Sequence, residues 1–277
     1  MLESLDLFEL FGGFALSLAI GVLGYKRGAL SGSGVAGALI TGTLTFGLGG
    51  WEWGVLLVLF FVSSSALSFY RAREKEGLAE KFSKGHRRDL GQALANGGLT
   101  ASLAVFSLIW PHPLWFVACA GAMATVNADT WATELGVLSA HLPRLVTTGQ
   151  RVEVGASGGV TWLGTGASLL GALLIGLAGG LGLLPLSHNW AAAGVLLLAA
   201  TAGGLAGSFV DSLLGATVQA IYWCDVCQKE TEQAVHRCGA ETRRLRGYRW
   251  LGNDLVNLLA SGAGALVAAG VGWSLLL

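Results

Sequence analysis

An all-α fold that crosses a membrane about eight times is predicted for this chain by three observations. Charged residues make up only 12% of the 277 positions, half the share of a soluble domain, and mean hydropathy is +0.62. Uncharged apolar runs of roughly 20 residues, the length that spans a bilayer core as a helix, recur along the chain. All 17 Lys and Arg residues fall in alternate connections between those runs.

The runs lie at about 7–25, 29–49, 52–70, 89–109, 113–139, 159–183, 190–222 and 250–276. The first is preceded by Glu3 and Asp6 and lacks a basic leader, so it reads as a retained span rather than a secretory signal. Lys26 and Arg27 follow run one. Arg71, Arg73, Lys75, Lys81, Lys84, Arg87 and Arg88 follow run three. Arg144 and Arg151 follow run five, and Lys229, Arg237, Arg243, Arg244, Arg246 and Arg249 follow run seven. The positive-inside bias places these four connections in the cytoplasm and both termini outside, in a membrane expected to be a bacterial inner membrane. Trp51, Trp53, Trp110, Trp115, Trp190 and Trp273 then sit near outer ends, with Trp223 and Trp250 near inner ends, as interfacial rings do. Run seven is too long for one crossing, since its 33 residues would make a helix of roughly 50 Å. A break near Gly203-Gly204, or a cytoplasmic extension past Gly215, is expected. The 43 glycines predict closely packed helices.

The whole chain, 1–277, reads as one integral membrane domain, within which a duplication is expected, with units 7–110 and 113–276. Gly21-Val22-Leu23 answers Gly136-Val137-Leu138, and Gly34-Val35 answers Gly159-Val160. Phe61-Val62-Ser63-Ser64 answers Phe209-Val210-Asp211-Ser212, and Leu90 to Asn96 answers Leu251 to Asn257. Four spans per unit would relate the halves by an axis along the membrane normal. The acids sit in the second unit: Ser63 stands where Asp211 stands, and Ala93 where Asp254 stands.

Asp129, Glu134, Asp211 and Asp254 lie inside or at the edge of spans. A carboxylate at a span centre costs about 2.5–3.5 kcal/mol, so such acids need a metal, a basic partner or water. All four fall toward the inner ends, where one cytoplasm-facing pocket could gather them; pairing to Arg or hydration is the alternative. Asn127, Thr130 and Glu134 share a helix face, whereas Asp129 lies about 140° away from Glu134, so the helix breaks or the two acids serve different groups. Asn253 and Asn257 share a face, as do Arg88, Gln92 and Asn96, either for a site or for hydrogen bonds between helices. Carboxylates and amides with few histidines suit a hard cation such as Mg²⁺, held by Asp129, Asp211 and Asp254 together with phosphates. Lys84, Arg87 and Arg88 could bind anions, or serve topology and anionic lipid. Ser157-Gly158-Gly159-Val160-Thr161 could cradle phosphate on backbone amides, or simply start a helix. No phosphate-loop motif is present, and Gly32-x-Gly34-x-x-Gly37 reads as helix packing.

The 223–249 connection carries Cys224-x2-Cys227 and His236-x-Cys238, a sound tetrahedral set for a structural zinc ion; unligated thiols are the alternative. Cys119, alone in a span, reads as packing. The formal net charge is zero and selects no partner. Membrane lipids are expected around the spans, and no nucleic acid is.

The string Asn127-Ala-Asp129-Thr-Trp-Ala-Thr-Glu134-Leu-Gly136 is followed by Pro143-Arg144, Thr147-Thr148-Gly149 and Ser157-Gly158-Gly159-Val160-Thr161. Asp211-Ser212-Leu213-Leu214-Gly215-Ala216 and Gly252-Asn253-Asp254-x-x-Asn257 complete the series. Together these resemble the membrane family that includes eukaryotic transmembrane protein 19 and the phytyl-phosphate kinases of plant and cyanobacterial tocopherol synthesis, over about residues 10–270. The resemblance implies phosphorylation of an isoprenyl monophosphate to its diphosphate, with CTP or ATP as donor and Mg²⁺ on the acids. Glu134 would orient a ligand or hold a second cation. Lys84, Arg87, Arg88 and Asn96 would contact phosphate, with Asn127, Ser157, Gly158, Gly159, Thr161, Asn253 and Asn257 as further substrate contacts. A transporter of lipid phosphate or an ion, and a cytidylyltransferase forming a CDP-lipid, are the alternatives.

Overall fold

The computed structural model describes residues 7–75 and 87–276. Eight helices of 18 residues or more form the bundle among the described residues. They are α1 (Leu7–Lys26), α2 (Gly32–Gly49), α3 (Trp51–Phe69), α5 (Leu90–Ile109), α6 (Leu114–Gly136), α7 (Trp162–Ser187), α8 (Trp190–Thr217) and α9 (Asn253–Leu276). A single turn, α4 (Ala72–Lys75), follows α3. By length and composition, α1, α3, α5, α7, α8 and α9 can each cross a membrane, six in all.

The helices outside that set, α2 and α6, have enclosed positions. α6 packs against α3, α5, α7, α8 and α9, and every residue from Val117 to Ala128 is buried. A helix that meets other helices on all sides gains from small side chains, so α6 is rich in Ala and Thr. α2, rich in Gly and Thr, lies between α1 and α5 and touches α3. The lipid-facing surface is the reverse: on α7, Leu170, Leu177 and Leu181 stand out from the bundle.

Helix α8 corrects the expected break and continues two residues past Gly215. It runs unbroken through Gly203-Gly204 and stops at Thr217, so its 28 residues span about 42 Å. The glycine pair permits close approach instead of a break. A Cβ on Gly204 would lie 2.7 Å from Ala172 Cβ and 2.9 Å from Ala124 Cβ, and one on Gly203 would strike the Gly264 carbonyl of α9. The remainder of run seven is a turn followed by the first two residues of a strand. The 223–249 connection is likewise no plain loop: β3 (Ile221–Cys224), β4 (Lys229–Thr231) and β5 (Arg243–Arg246) form an antiparallel sheet in the order β4-β3-β5.

Between α6 and α7, β1 (Arg144–Leu145) pairs antiparallel with β2 (Gly159–Val160). Run six therefore begins as strand, and α7 starts only after Thr161, whose hydroxyl caps it by accepting from the Gly164 amide at 2.9 Å. Asp89 starts α5 in the same way, in a reciprocal capping box with Gln92.

Candidate active site

A cavity of about 380 Å³ lies where α3, α6 and α8 end and α5, α7 and α9 begin. Asp129 of α6 and Asp211 of α8 both line it, as does Glu232, which directly follows Thr231 at the end of β4. The three carboxylates sit close enough to repel one another. Glu232 Oε1 accepts from Ser157 Oγ at 3.0 Å and from Gln219 Nε2 at 2.9 Å. Asp211 Oδ2 is buried and has no hydrogen-bond partner. A buried carboxylate oxygen left open beside two further acids suits a hard divalent cation, so Asp129, Asp211 and Glu232 are the residues that could hold Mg²⁺.

Glu134 has a different role from Asp129, although both line the cavity and α6 is continuous between them. Its Oε2 receives Lys75 Nζ at 2.7 Å and its Oε1 receives Ser68 Oγ at 2.5 Å. Lys75 also donates to the Leu67 carbonyl at 2.8 Å, which ties α4 to the end of α3. The helix does not break between the two acids, and Glu134 is held by Lys75 and Ser68.

Arg88 reaches the cavity from the start of α5. Its guanidinium donates to Ser65 Oγ at 2.9 Å and Ser64 Oγ at 3.0 Å, and lies 5.7 Å and 5.8 Å from the Phe60 and Phe61 ring centres. Burial pulls this guanidinium down from its usual range, and the charge of Glu134 opposes that pull. Arg88, Gln92 and Asn96 also line a second, apolar cleft of about 70 Å³ with Leu57, Phe60 and Phe61. The two spaces thus adjoin across one polar face of α5.

The loop before α7 forms another wall. Gly155, Ser157, Gly158, Gly159 and Thr161 line the cavity. Gly158 has φ +80°, a left-handed backbone, and a side chain there would strike Ala216 of α8. The Gly159 amide donates to Ala156 O at 3.0 Å, so that amide is committed within the loop. Asn253 and Asn257 line the cavity from the first turns of α9, and Asn257 approaches Asn96 at 3.5 Å. The first turns of α5, α7 and α9 all contribute lining residues, and helix N-termini favour anions.

Three of the predicted residues that the structure describes stand elsewhere. Asn127 is fully buried: its Nδ2 donates to Gly171 O at 2.8 Å and its Oδ1 accepts from Ser63 Oγ at 2.9 Å, so it joins α6 to α7 and α3. Arg87 is exposed and lies 5.6 Å from the Tyr25 ring centre. Asp254 is absent from the cavity lining, and the third acid near Asp129 and Asp211 is Glu232 instead. Lys84 lies outside the described residues. Sequence reasoning did not single out Lys75, Gln219 or Glu232. Lys75 resembled six other basic residues in its connection, and an acid in a polar loop gives no signal of cost.

Beside this cavity, the ligand atoms of Cys224, Cys227, His236 and Cys238 all lie within 4.8 Å of one another. Cys224 Sγ is 3.7 Å from Cys238 Sγ, and His236 Nδ1 is 3.3 Å from the same sulfur. The Cys227 backbone amide, donating to Cys224 Sγ at 3.4 Å, draws the Cys224 thiol below its ordinary value. The Cys227 thiol is pushed up to about 11, first by its hydrogen bond with Cys238.

The pattern of the integral membrane protein family DUF92 matches residues 15–265. Protein PGR of Arabidopsis thaliana is 32% identical over 279 residues, covering 94% of each chain. A membrane protein of Methanocaldococcus jannaschii, MJ0933, is 34% identical over 76% of this chain and 83% of its own. Protein VTE6, chloroplastic, of Arabidopsis thaliana is 28% identical over 86% of this chain and 64% of its own. No solved structure matches.

Proposed function

We propose, from the premise that the chain belongs to the integral membrane family DUF92, that it is a membrane-embedded kinase. It converts an isoprenyl monophosphate to the diphosphate, with CTP or ATP as donor. The observation that carries this reading is the pairing of two unlike spaces across Arg88, Gln92 and Asn96. One is a polar cavity with acids from α6 and α8. The other is an apolar cleft among α1, α2, α3 and α5. A ligand with a phosphate head and a hydrocarbon tail matches that division, and its phosphate would meet the guanidinium of Arg88. The resemblance of the string around Asp129 to phytyl-phosphate kinases supports the same substrate class.

In this reading the basic connections and the cavity face the cytoplasm, where nucleotides are made. Asp129 and Asp211, with Glu232 beside them, would hold Mg²⁺, which when bound neutralises negative charge on the nucleotide phosphates. Arg88 and the first turns of α5, α7 and α9 hold the lipid phosphate in line. An oxygen of that phosphate attacks the γ-phosphorus, the bond to the bridging oxygen breaks, and the nucleoside diphosphate leaves. The attacking oxygen is already ionised, so positioning and charge neutralisation suffice without a strong base. Lys75 keeps Glu134 neutralised at the cavity wall.

The unbroken α8 removes the discontinuous helix that would favour transport. The test is a reconstituted assay of isoprenyl monophosphates of several chain lengths, each with γ-labelled CTP or ATP. Label in an isoprenyl diphosphate is expected. A CDP-lipid identified by mass, or no transfer from either nucleotide by correctly inserted protein, would overturn the reading.

A further inference from the structure

We propose that Cys224, Cys227, His236 and Cys238 bind one zinc ion, and that the metal-held sheet positions Glu232 and the Ser157 loop at the cavity. The donor set carries the first half. Four ligand atoms within 4.8 Å come from two tight turns. Cys224 ends β3 and Cys227 lies in the turn to β4, where Gln228 adopts φ +52°. His236 and Cys238 belong to a second turn closed by His236 N donating to Ala240 O at 2.9 Å, with Gly239 at φ +85°. Zinc–sulfur bonds of about 2.3 Å in a tetrahedron put two sulfurs about 3.8 Å apart. The Cys224–Cys238 separation of 3.7 Å fits that edge and is far from a disulfide bond. His236 is buried, and its Nε2 has no hydrogen-bond partner, so no protein acceptor competes for that nitrogen.

The sheet is also small. Its strands are four, three and four residues long, too short to bury a core of their own. In units of this size, metal binding energy becomes folding energy.

Two links join this sheet to the cavity wall. Glu232, one residue beyond β4, accepts from Ser157 Oγ and from Gln219 Nε2. Arg246, on β5, donates to Gly215 O at 2.9 Å, to Ala216 O and to Ser157 O at 3.3 Å. Arg246 therefore satisfies carbonyls at the end of α8 and grips the same loop residue that Glu232 holds. Loss of the metal frees both ends of this arrangement at once. The inference does not depend on which reaction the cavity performs.

The test uses the full chain in detergent. Elemental mass spectrometry of the purified protein is expected to find about one zinc per chain, lost in Cys227→Ser. Iron in place of zinc, or no metal even after incubation with zinc, would overturn the site. Hydrogen–deuterium exchange of the wild type is then compared before and after a zinc chelator. Faster exchange is expected at 221–246 and also at 155–161, with α1 and α2 unchanged. A rise confined to 221–246 would overturn the positioning role. Glu232→Ala is expected to keep its zinc and yet speed exchange at 155–161. Unchanged exchange there would again count against positioning.

Discussion

Lys75 Nζ lies 2.7 Å from Glu134 Oε2, and the two side chains are 6% and 21% exposed. This pair fastens the single turn α4 to the C-terminal end of α6, across 59 positions of sequence. Breaking a buried pair by removing one partner costs about 3–5 kcal/mol, because the remaining charge is stranded. Among the described residues, the Ser68 hydroxyl is the hydrogen-bond partner that Glu134 would keep in Lys75→Met. Lys75→Met and Glu134→Gln are each expected to lower the unfolding temperature in detergent. The double variant should lose less than the sum, with coupling of about 1–3 kcal/mol. Strictly additive losses would show that the pair does not act as one.

Asp211 carries the open carboxylate oxygen in the cavity, with Asp129 beside it. Replacing either with Asn keeps the shape and removes the charge that would hold a cation. Asp129→Asn and Asp211→Asn are expected to reduce transfer from nucleotide to lipid phosphate by about 100-fold or more. Elution in gel filtration should stay unchanged. Near-normal turnover in both would remove the metal role of these acids.

Arg88 stands between the polar cavity and the apolar cleft. Arg88→Ala is expected to raise KM for the lipid phosphate by about tenfold or more, in line with the loss of a charge-assisted contact. Ala38→Phe, which fills the cleft, should discriminate against long isoprenyl chains and spare short ones. Equal effects on all chain lengths would place the tail elsewhere.

Gly204 sits where α8 meets both Ala172 and Ala124. Gly204→Leu cannot fit without separating three helices. A loss of at least about 1–3 kcal/mol is expected, read as a lower unfolding temperature or poor recovery from the membrane. A variant as stable as wild type would mean that α8 bends there after all.

Asp129 and Asp211 could be found from sequence because a carboxylate inside an apolar run is costly and therefore conspicuous. Glu232 escaped notice for the opposite reason: in a polar connection an acid costs nothing, and only the return of β4 toward Ser157 gives it a place at the cavity. Asn127 misled because its helix face is right while its neighbours on α3 and α7 take both ends of its amide. The break expected in α8 reflected glycines that serve contact rather than flexure.

The number of long helices, and the end of the bundle that gathers the basic residues, followed from the sequence alone, because hydropathy and charge act residue by residue and survive without a fold. Which acid joins Asp129 and Asp211, which base neutralises Glu134, and how a small sheet reaches the cavity were decided only in three dimensions. Those depend on side-chain direction and on contacts between distant segments, and a linear pattern records neither.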